Sequence, residues 1–356
     1  MNINDIDYYL PRELIAQKPA NPRDTSKLLI LNRSSGEIKH TIFHNITDHL
    51  GKKDVLVFNK SKVFPARLYG RKKSKGKVEV LILRFLGKSD SICEVITKPG
   101  LFLYEKILFD GFEGKVIKRS GYITVMEFNL PYQKFLKKIN ILGHTPIPPY
   151  INKTDLSEKE LREKYQTVYA KTVGSAAAPT AGLHFTKELL RKIEKNGIQT
   201  EFVTLHIGLG TFASIKEKDI EKHKIYKEYF EADLETIKRL NKAKRSGKRI
   251  IAVGTTTTRV LETLVDEDSK LASKYNSNFT NLYIYPPYKF KFVDALITNF
   301  HLPKSTLLAL ISAFVSFPNT ENIFTNFQSS LLGKAYEEAI AKEYRFFSFG
   351  DAMFII

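Results

Sequence analysis

The sequence predicts an α/β main domain, a mixed sheet with flanking helices, which carries an inserted small all-β, barrel-like domain. Two observations predict this fold class. After residue 150, apolar strands run into glycine loops and then into helices, an alternation typical of an α/β layer. Between residues 67 and 129, short β-prone runs follow one another with glycine punctuation and no helical periodicity. We therefore expect a discontinuous α/β domain of residues 1–66 and 151–356, and an all-β insertion of residues 67–150.

The N-terminal half is predicted to contain strands almost exclusively. A proline-rich loop precedes a strand at residues 27–31, a turn at 34–36 and a second strand, and residues 55–58 are an apolar run of the buried-strand type. The insertion contributes short strands at 78–83, 92–96, 115–117 and 122–126. We expect it to form a closed antiparallel unit, which a helix of more than three turns would contradict.

Helices are predicted after residue 150. Ser157 and Glu160 have the spacing of a capping box and begin a helix at 156–170, and a second helix at 186–196 stops at Gly197. Strands at 201–207 and 249–253 each run into glycine, and a helix is expected from Arg259. A last strand at 292–297 precedes an apolar helix at 305–317.

Composition places the chain among globular proteins. Of its 356 residues 43% are hydrophobic and 26% are charged, which argues against a disordered or fibrous chain. The single cysteine, Cys93, cannot form an internal disulfide, so the secreted disulfide-scaffold class is excluded. The first residues do not resemble a signal peptide, and the longest apolar stretch is shorter than the roughly 20 residues of a membrane span. We expect a cytoplasmic protein with no membrane partner.

The net charge of +18 favours polyanionic partners, with nucleic acid first among them. The alternative is that a bias toward lysine, asparagine and isoleucine produces a merely solvated surface, and charge alone leaves it open. Clustering favours nucleic acid, because residues 60–77 hold eight basic residues and no acid, and residues 238–249 hold seven and no acid.

Four glycine-rich or polar clusters, at residues 174–185, 204–212, 253–259 and 294–306, indicate one shared small-molecule pocket. The first could bring backbone amides close to an anion, or could be tight helix packing around a satisfied His184. The second places His206 before a glycine loop, and the third places four threonines at a helix start, where their hydroxyls could cap the helix or bind a ligand. The fourth ends a strand in Asn299 and His301.

Three common sites are excluded by these patterns. Residues 208–213 satisfy G-x-G-x-x-A, and Glu228 follows 20 residues after Gly208, but the intervening segment is too charged for a dinucleotide-binding unit. The lysine of a Walker A loop is missing after residue 254. Because the histidines are dispersed and no CxxC or HExxH occurs, we expect no metal site.

The four clusters resemble, in this order, those of the S-adenosylmethionine:tRNA ribosyltransferase-isomerase family of queuosine biosynthesis, and the resemblance runs from end to end. Its motifs include Pro22-Arg23-Asp24, Val63-Phe64-Pro65-Ala66-Arg67-Leu68, Tyr165-Gln166-Thr167-Val168-Tyr169, Ala178-Pro179-Thr180-Ala181-Gly182-Leu183-His184-Phe185, Val203-Thr204-Leu205-His206, Ala252-Val253-Gly254-Thr255-Thr256, Thr298-Asn299-Phe300-His301-Leu302-Pro303 and Gly350-Asp351-Ala352-Met353-Phe354.

The chain departs from the family pattern at three places. The usual Asn-x-Thr-Arg-Val is here Asn-Lys-Ser-Lys-Val at residues 59–63, with Lys62 in place of arginine. The usual Met-His before a glutamate is Ile-Tyr at 225–226, so a catalytic role for that histidine is not transferred to Tyr226. A usual Pro-Gly is Pro-Pro at 286–287, so Pro287 changes that loop.

The resemblance implies an enzyme that moves the ribosyl part of S-adenosylmethionine onto 7-aminomethyl-7-deazaguanine in the tRNA wobble position. The group rearranges to the epoxycyclopentane of epoxyqueuosine, and adenine and methionine leave. The sulfonium acidifies the adjacent C5′ hydrogens, so a base of ordinary strength suffices, and no metal or other cofactor is expected. The expected partners are tRNA and S-adenosylmethionine, and the expected state is a monomer.

Site residues follow from the clusters and from this implied substrate. His206 is our choice for proton transfer, because it ends a strand directly before a glycine loop, and His184 and His301 are the other catalytic candidates. The alternative, which stays open, is that His206 is a buried structural residue whose ring is hydrogen-bonded to a neighbour. We expect tRNA phosphates at Arg67, Arg71, Lys72 and Lys73. The expected substrate-binding residues are Thr180, Gly182, Gly208, Gly210, Thr211, Phe212, Gly254, Thr255, Thr256, Arg259, Asp294 and Asn299.

Two other functions are alternatives, and the sequence argues against both of them. A non-catalytic RNA-binding protein would have aromatic-rich exposed strands and no small-molecule pocket. An unrelated S-adenosylmethionine methyltransferase would need a glycine loop after its first strand and an acid ending the second, a pattern that is absent here.

Overall fold

The computed structural model describes residues 1–87, 90–121, 123–208, 215–273 and 276–356. The strands are β1 Lys27–Leu31, β2 Ile38–Ile42, β3 Asp54–Asn59, β4 Ser61–Val63, β5 Arg67–Lys72, β6 Lys77–Phe85, β7 Ile92–Lys98, β8 Lys106–Phe109, β9 Phe112–Ser120, β10 Ile123–Phe128, β11 Thr172–Ser175, β12 Gln199–Leu205, β13 Glu228–Glu231, β14 Arg249–Val253, β15 Ser277–Thr280, β16 Ala295–Asn299 and β17 Ala352–Ile355. The helices are α1 Tyr132–Leu142, α2 Glu158–Lys164, α3 Lys187–Lys195, α4 Leu234–Arg245, α5 Thr255–Leu264, α6 Thr306–Phe314 and α7 Leu331–Ala341.

The main domain is built on a mixed sheet whose order, within the described residues, is β15-β13-β12-β3-β14-β16-β17-β1-β2. Its four central strands, β12, β3, β14 and β16, are parallel, whereas β13 and β17 pair with them antiparallel. The parallel strands therefore end at one edge of the sheet, where α5 begins directly after β14. That edge positions the candidate site.

Both faces of the central strands are buried, as the apolar run at residues 55–58 predicts. Along β3, Val55 and Val57 pack into one apolar cluster, whereas Leu56 and Phe58 pack into another on the opposite face. Successive residues of a strand point to opposite faces, so an uninterrupted apolar run is stable only between two helical layers. The predicted α/β class is confirmed.

The inserted unit is a closed barrel with the strand order β10-β7-β6-β5-β8-β9. All its neighbouring strands pair antiparallel, as predicted. The chain leaves and re-enters the main domain side by side, because β4 before the barrel pairs in parallel with β11 after it. The boundaries at residues 66/67 and 150/151 stay a prediction.

Helix α1 is the part of this insertion that the sequence reasoning missed, so residues 67–150 are not all-β. It has 11 residues, about three turns, and Phe135 and Ile139 are buried in the barrel core. The Phe135 ring stacks on Phe128 at 4.2 Å between centroids. The apolar face of α1 therefore packs against the barrel core and closes the barrel.

Two helices differ from their predicted bounds. Helix α2 has the predicted capping box of Ser157 and Glu160 but ends at Lys164 rather than residue 170, and Gln166 beyond it hydrogen-bonds both backbone groups of Val63. Helix α5 begins at Thr255 rather than Arg259. Gly254 makes the early start possible, because its φ of 91° turns the chain directly from β14 into the helix.

Among the described residues, none of the helices combines the length and the apolar character that crossing a bilayer requires.

Candidate active site

A cleft of about 690 Å³ lies between the barrel and the main sheet. This volume is typical of sites for small organic ligands. Arg84 of the barrel closes one side of the cleft, since its guanidinium is held by Glu94 at 2.6 and 2.7 Å and lies 5.0 Å from the Phe279 ring centre of the main sheet. Other lining residues are Phe85, Ile123 and Tyr132 from the barrel and Val173, Gly174, His206, Gly208, Tyr226, Glu228 and Tyr229 from the main domain.

His206 is the only histidine that lines this cleft among the described residues. It directly follows β12, and its ring stacks on Tyr229 with 5.9 Å between centroids and an interplanar angle of 12°. Its Nδ1 is buried without a hydrogen-bond partner among the described residues. Burial lowers the pKa of His206 below its ordinary value of 6.5, so the ring is neutral at pH 7 and can accept a proton.

Gly174 of β11 packs directly against the His206 ring. A Cβ at this position would lie 2.7 Å from His206 Cε1 and 2.8 Å from Nδ1, and the φ of 145° is one that residues with side chains rarely adopt. Gly174, at the start of the first glycine-rich cluster, thus leaves room for the ring of His206 from the second cluster.

We expect Gly174→Ala to reduce turnover by displacing the His206 ring, in addition to the backbone strain that it introduces. The matched control is Gly247→Ala, because Gly247 also has a positive φ of 72° but nothing within 4 Å of an added Cβ. Steady-state kinetics and thermal unfolding of both variants separate the two effects. Equal losses of stability with unchanged turnover in Gly174→Ala would contradict the role given to this contact.

Glu228 and Arg259 form a buried ion pair beside the cleft, with both side chains 5% exposed. Glu228 Oε1 also accepts the Gly208 backbone N–H at 2.9 Å, and Arg259 Nε donates to the Leu282 carbonyl at 3.1 Å. Glu228, 20 residues after Gly208, thus anchors the strand end that precedes the glycine loop. Arg259 lines a separate cavity of about 20 Å³ together with Tyr226.

Several predicted site residues line a second, smaller recess of about 30 Å³ at the carboxyl ends of β14 and β16. The predicted substrate-binding residues among them are Thr180, Gly254, Thr255, Thr256 and Asn299, and the catalytic candidate His301 joins them. They come from three of the four sequence clusters. The recess adjoins the cleft, because Ile207 lines it while His206 and Gly208, on either side, line the cleft.

His184 lies outside both cavities and is fully engaged. Its Nδ1 lies 2.8 Å from Ser26 Oγ, and its Nε2 lies 3.0 Å from Asn299 Nδ2. Burial, with smaller contributions from Arg345 and Arg23, lowers its pKa to about 3. Its ring is therefore neutral and orients Asn299, which corresponds to the satisfied-histidine alternative.

His301 lines the recess but is also held in place. Its Nε2 lies 2.8 Å from Thr298 Oγ1, and burial lowers its pKa to about 3. Its backbone N–H donates to the Tyr336 hydroxyl at 2.9 Å.

Two further predicted residues, Asp294 and Gly182, line neither cavity. Asp294 lies at the amino end of β16, opposite Asn299, and pairs with Lys244 at 2.6 Å. Gly182 is packed under Tyr169, whose hydroxyl would lie 1.8 Å from an added Cβ. Gly210, Thr211 and Phe212 lie outside the described residues.

The threonines after Gly254 do not cap α5. Thr257 and Thr258 are inside the helix, and their hydroxyls donate to the Val253 and Gly254 carbonyls at 2.8 and 3.2 Å. Thr256 Oγ1 accepts from Asn59 Nδ2 at 3.3 Å. Only the first turn of the helix therefore faces the recess.

Sequence reasoning missed Asn59, which joins β3, β12 and α5. It is completely buried, donates to the Leu205 carbonyl at 3.1 Å and accepts the Leu205 and Ser61 amides at 3.1 and 3.0 Å. Its position directly after the apolar run 55–58 is the same signal that identified the other four clusters. Sequence reasoning also missed Ser26, which contacts His184, and Arg84, which lines the cleft, because neither belongs to one of the four clusters.

The residues predicted to contact tRNA lie on or beside the β5–β6 hairpin, and two of them are engaged within the barrel. Arg67 Nε lies 3.1 Å from Glu79 Oε1, and Lys72 Nζ lies 2.8 Å from Glu105 Oε1. Arg71 and Lys73 are exposed and form no ion pair with any described residue. The start of β6 at the hairpin, Lys77, is roughly 20 Å along the strand from Leu83, the first β6 residue that lines the cleft.

The cleft argues against the non-catalytic RNA-binding alternative, which predicts no small-molecule pocket. It is large and apolar in part, and it contains a histidine nitrogen and a carboxylate, a combination that suits catalysis on a bound ligand.

Comparison with known proteins gives a consistent result over the whole chain. The sequence profile described as "Queuosine biosynthesis protein" matches residues 3–355. The chain is 45% identical over 359 residues to the S-adenosylmethionine:tRNA ribosyltransferase-isomerase of Thermosipho melanesiensis, with 100% of both chains covered. It is 47% identical over 366 residues to the protein of that name from Caldanaerobacter subterraneus, again with 100% of both covered.

A solved structure agrees. The crystal structure of an S-adenosylmethionine tRNA ribosyltransferase from Thermotoga maritima is 34% identical, with 99% of this chain and 100% of that chain covered and a TM-score of 0.54. The full-length profile match and the identities near 45% together show that the chain belongs to the queuosine biosynthesis protein family.

Proposed function

We propose that this protein transfers the ribosyl group of S-adenosylmethionine to 7-aminomethyl-7-deazaguanine in the wobble position of tRNA and isomerises it. The products are epoxyqueuosine-tRNA, adenine and methionine. The observation that carries the proposal is the 690 Å³ cleft with the unpartnered Nδ1 of His206, in a chain that matches its ribosyltransferase-isomerase relatives over their entire length.

His206 takes the C5′ proton in this proposal. The sulfonium of S-adenosylmethionine stabilises the carbanion at C5′, so a neutral imidazole in a partly buried cleft is an adequate base. Adenine then leaves with ring opening and takes up a proton, the aminomethyl nitrogen adds, and ring closure expels methionine. Every step is a proton transfer, an addition or an elimination, and none needs an external oxidant or reductant. We therefore propose that no metal or organic cofactor takes part.

The test is to incubate the purified protein with S-adenosylmethionine and tRNA that bears 7-aminomethyl-7-deazaguanine. We expect epoxyqueuosine by mass spectrometry of the tRNA nucleosides, with one free adenine per modified nucleoside, and the same yield in the presence of EDTA. Adenine release without modified tRNA, or the absence of both products, would contradict the function. Loss of activity with EDTA would contradict the cofactor-free reaction.

We also propose that Arg71 and Lys73 contact tRNA phosphates, and we expect the double variant Arg71→Ala/Lys73→Ala to bind tRNA more weakly. Each lost phosphate contact lowers the slope of log K against log salt by about one. Lys72 is left unchanged because it holds Glu105. Binding is measured at several salt concentrations.

The matched control for that variant is Lys192→Ala/Lys195→Ala, which removes the same charge from exposed positions on α3. S-adenosylmethionine affinity should not change in either double variant. An identical salt slope for the two variants would remove the hairpin from the tRNA surface.

We further propose a monomer that acts in the cytoplasm, where its tRNA substrate is found. Light scattering after gel filtration, with and without tRNA, tests the monomer, and a stable dimer would contradict it.

A further inference from the structure

The 30 Å³ recess lies where an open α/β sheet is expected to bind ligands. The chain connects β3 to β12 on one side and β14 to β16 on the other, although β3 and β14 are neighbours in the sheet. A crevice opens outside the carboxyl ends of two strands whose connections diverge in this way. Gly254 and Thr255, which line the recess, directly follow β14.

One wall of the recess offers hydrogen-bond donors. The first bond along α5 runs from the Thr258 amide to the Gly254 carbonyl at 3.2 Å, so the amides of Thr255, Thr256 and Thr257 have no partner within the helix. They lie at the positive end of the helix dipole, which favours an anionic group. Thr255, 5% exposed, adds a hydroxyl to this wall.

The other wall presents a buried acceptor that has no partner. Asn299 is 2% exposed, and its Nδ2 donates to the Phe347 carbonyl at 3.2 Å and to His184 Nε2 at 3.0 Å. A carbonyl oxygen can only accept, so the contact with Phe347 determines which end of the amide carries the nitrogen. Asn299 Oδ1 is therefore left over, and it has no partner among the described residues. A buried acceptor of this kind favours a ligand with a donor group.

We propose that this recess binds the amino-acid end of the sulfonium substrate: the α-carboxylate lies at the first turn of α5, and the α-ammonium donates to Asn299 Oδ1. This assignment rests on the proposed function, because that function supplies S-adenosylmethionine as the ligand. With a volume of about 30 Å³, the recess is too small for a nucleoside. Ile207 lines the recess and His206 lines the cleft, so a ligand held by this end can extend its C5′ carbon toward His206.

Arg259 is a buried cation near this edge of the sheet and could also attract a carboxylate. It is nevertheless a poorer carboxylate site than the first turn of α5. Its charge is neutralised by Glu228, and it lines a different cavity of about 20 Å³. The recess itself contains no acidic side chain among its described lining residues, so a carboxylate meets no repulsion there.

The experiment compares three ligands on the wild-type protein by calorimetry: S-adenosylmethionine, decarboxylated S-adenosylmethionine and 5′-methylthioadenosine. The second lacks only the carboxylate, and the third lacks the whole amino-acid chain together with the sulfonium charge. A hydrogen bond to a charged group corresponds to a factor on the order of 10 to 100 in affinity. We expect removal of the carboxylate to weaken binding by that factor and removal of the head group to weaken it further. Equal affinities for all three ligands would overturn the assignment.

Variants identify which wall holds which group. Thr255→Val should weaken binding of S-adenosylmethionine about tenfold and leave the decarboxylated ligand unaffected. Asn299→Leu should weaken both of these ligands, which keep the ammonium, without changing the affinity for 5′-methylthioadenosine. The matched control is Thr257→Val, since the Thr257 hydroxyl bonds to the Val253 carbonyl.

Asn299→Leu removes a partner of His184, and it is therefore interpreted only if circular dichroism shows a folded protein. If it does not fold, the wild-type ligand series and Thr255→Val decide. A Thr255→Val protein that weakens both sulfonium ligands equally would overturn the position of the carboxylate. Failure to modify tRNA with the ligand series as expected would refute the proposed function alone, and modification with equal ligand affinities would refute the head-group site alone.

Discussion

Replacing His206 with alanine is expected to lower turnover by about 100- to 10,000-fold while S-adenosylmethionine affinity stays within a few-fold of wild type. Loss of a general acid or base typically has that effect on rate. His206 is the cleft-lining imidazole, with an Nδ1 that has no partner among the described residues, so its removal deletes a proton acceptor without breaking a hydrogen bond seen there. Single-turnover kinetics with modified tRNA measure the rate, and calorimetry measures the affinity.

The pH dependence of turnover provides a second readout. A general base must be neutral, so activity should fall as the pH decreases through the pKa of His206. Because burial lowers that pKa below 6.5, the loss should have its midpoint below pH 6.5, and the inflection should be absent in His206→Ala.

Alanine at His184 or His301 serves as the comparison for His206→Ala. Both side chains are neutral, buried and hydrogen-bonded around the recess, so these variants should affect affinity more than the chemical step. Turnover of His206→Ala within about tenfold of wild type would transfer the proton-accepting role to another group.

The second large effect is expected on stability. Arg259→Met leaves Glu228 buried without its ionic partner, and removal of one member of a buried pair typically costs about 3–5 kcal/mol. Much of that cost should be recovered in the double variant Glu228→Gln/Arg259→Met, which buries no charge at this position. Denaturant unfolding of the single and double variants measures the free energies of unfolding.

A surface pair is the matched control for this cycle. Lys238 and Glu235 are 70% and 66% exposed, so Lys238→Ala should cost less than about 1 kcal/mol. Strictly additive losses in the double variant would contradict the coupling between Glu228 and Arg259. If the pair anchors Gly208, Arg259→Met should also lower the affinity for S-adenosylmethionine, because Glu228 holds the Gly208 amide beside the cleft.

Much of the site could be predicted because polar residues that follow buried strands meet at one edge of a parallel sheet. That rule brought Gly254, Thr255, Thr256, Asn299 and His301 together in the recess, although they come from two separate clusters. Thr180 reaches the recess differently, because the strand before it, β11, lies outside the main sheet. The same rule failed for Asp294, because it precedes its strand and therefore lies at the opposite edge. The rule also could not predict which of these residues line the recess and which line the cleft, since neighbouring residues on a strand point to opposite sides.

By itself the sequence determined the two architectures, the buried parallel strands and the position of His206 before a glycine loop, since all of these depend on periodicity and turn residues within short segments. Only the tertiary structure decided which polar atoms are free to act. Whether a side chain has a partner depends on distant elements: Phe347 and His184 occupy both donors of Asn299, and Arg259 neutralises Glu228 across 31 residues. Local patterns carry no information about such long-range partners. These partners separate His206, whose Nδ1 has no partner among the described residues, from His184 and His301, which are hydrogen-bonded around the recess.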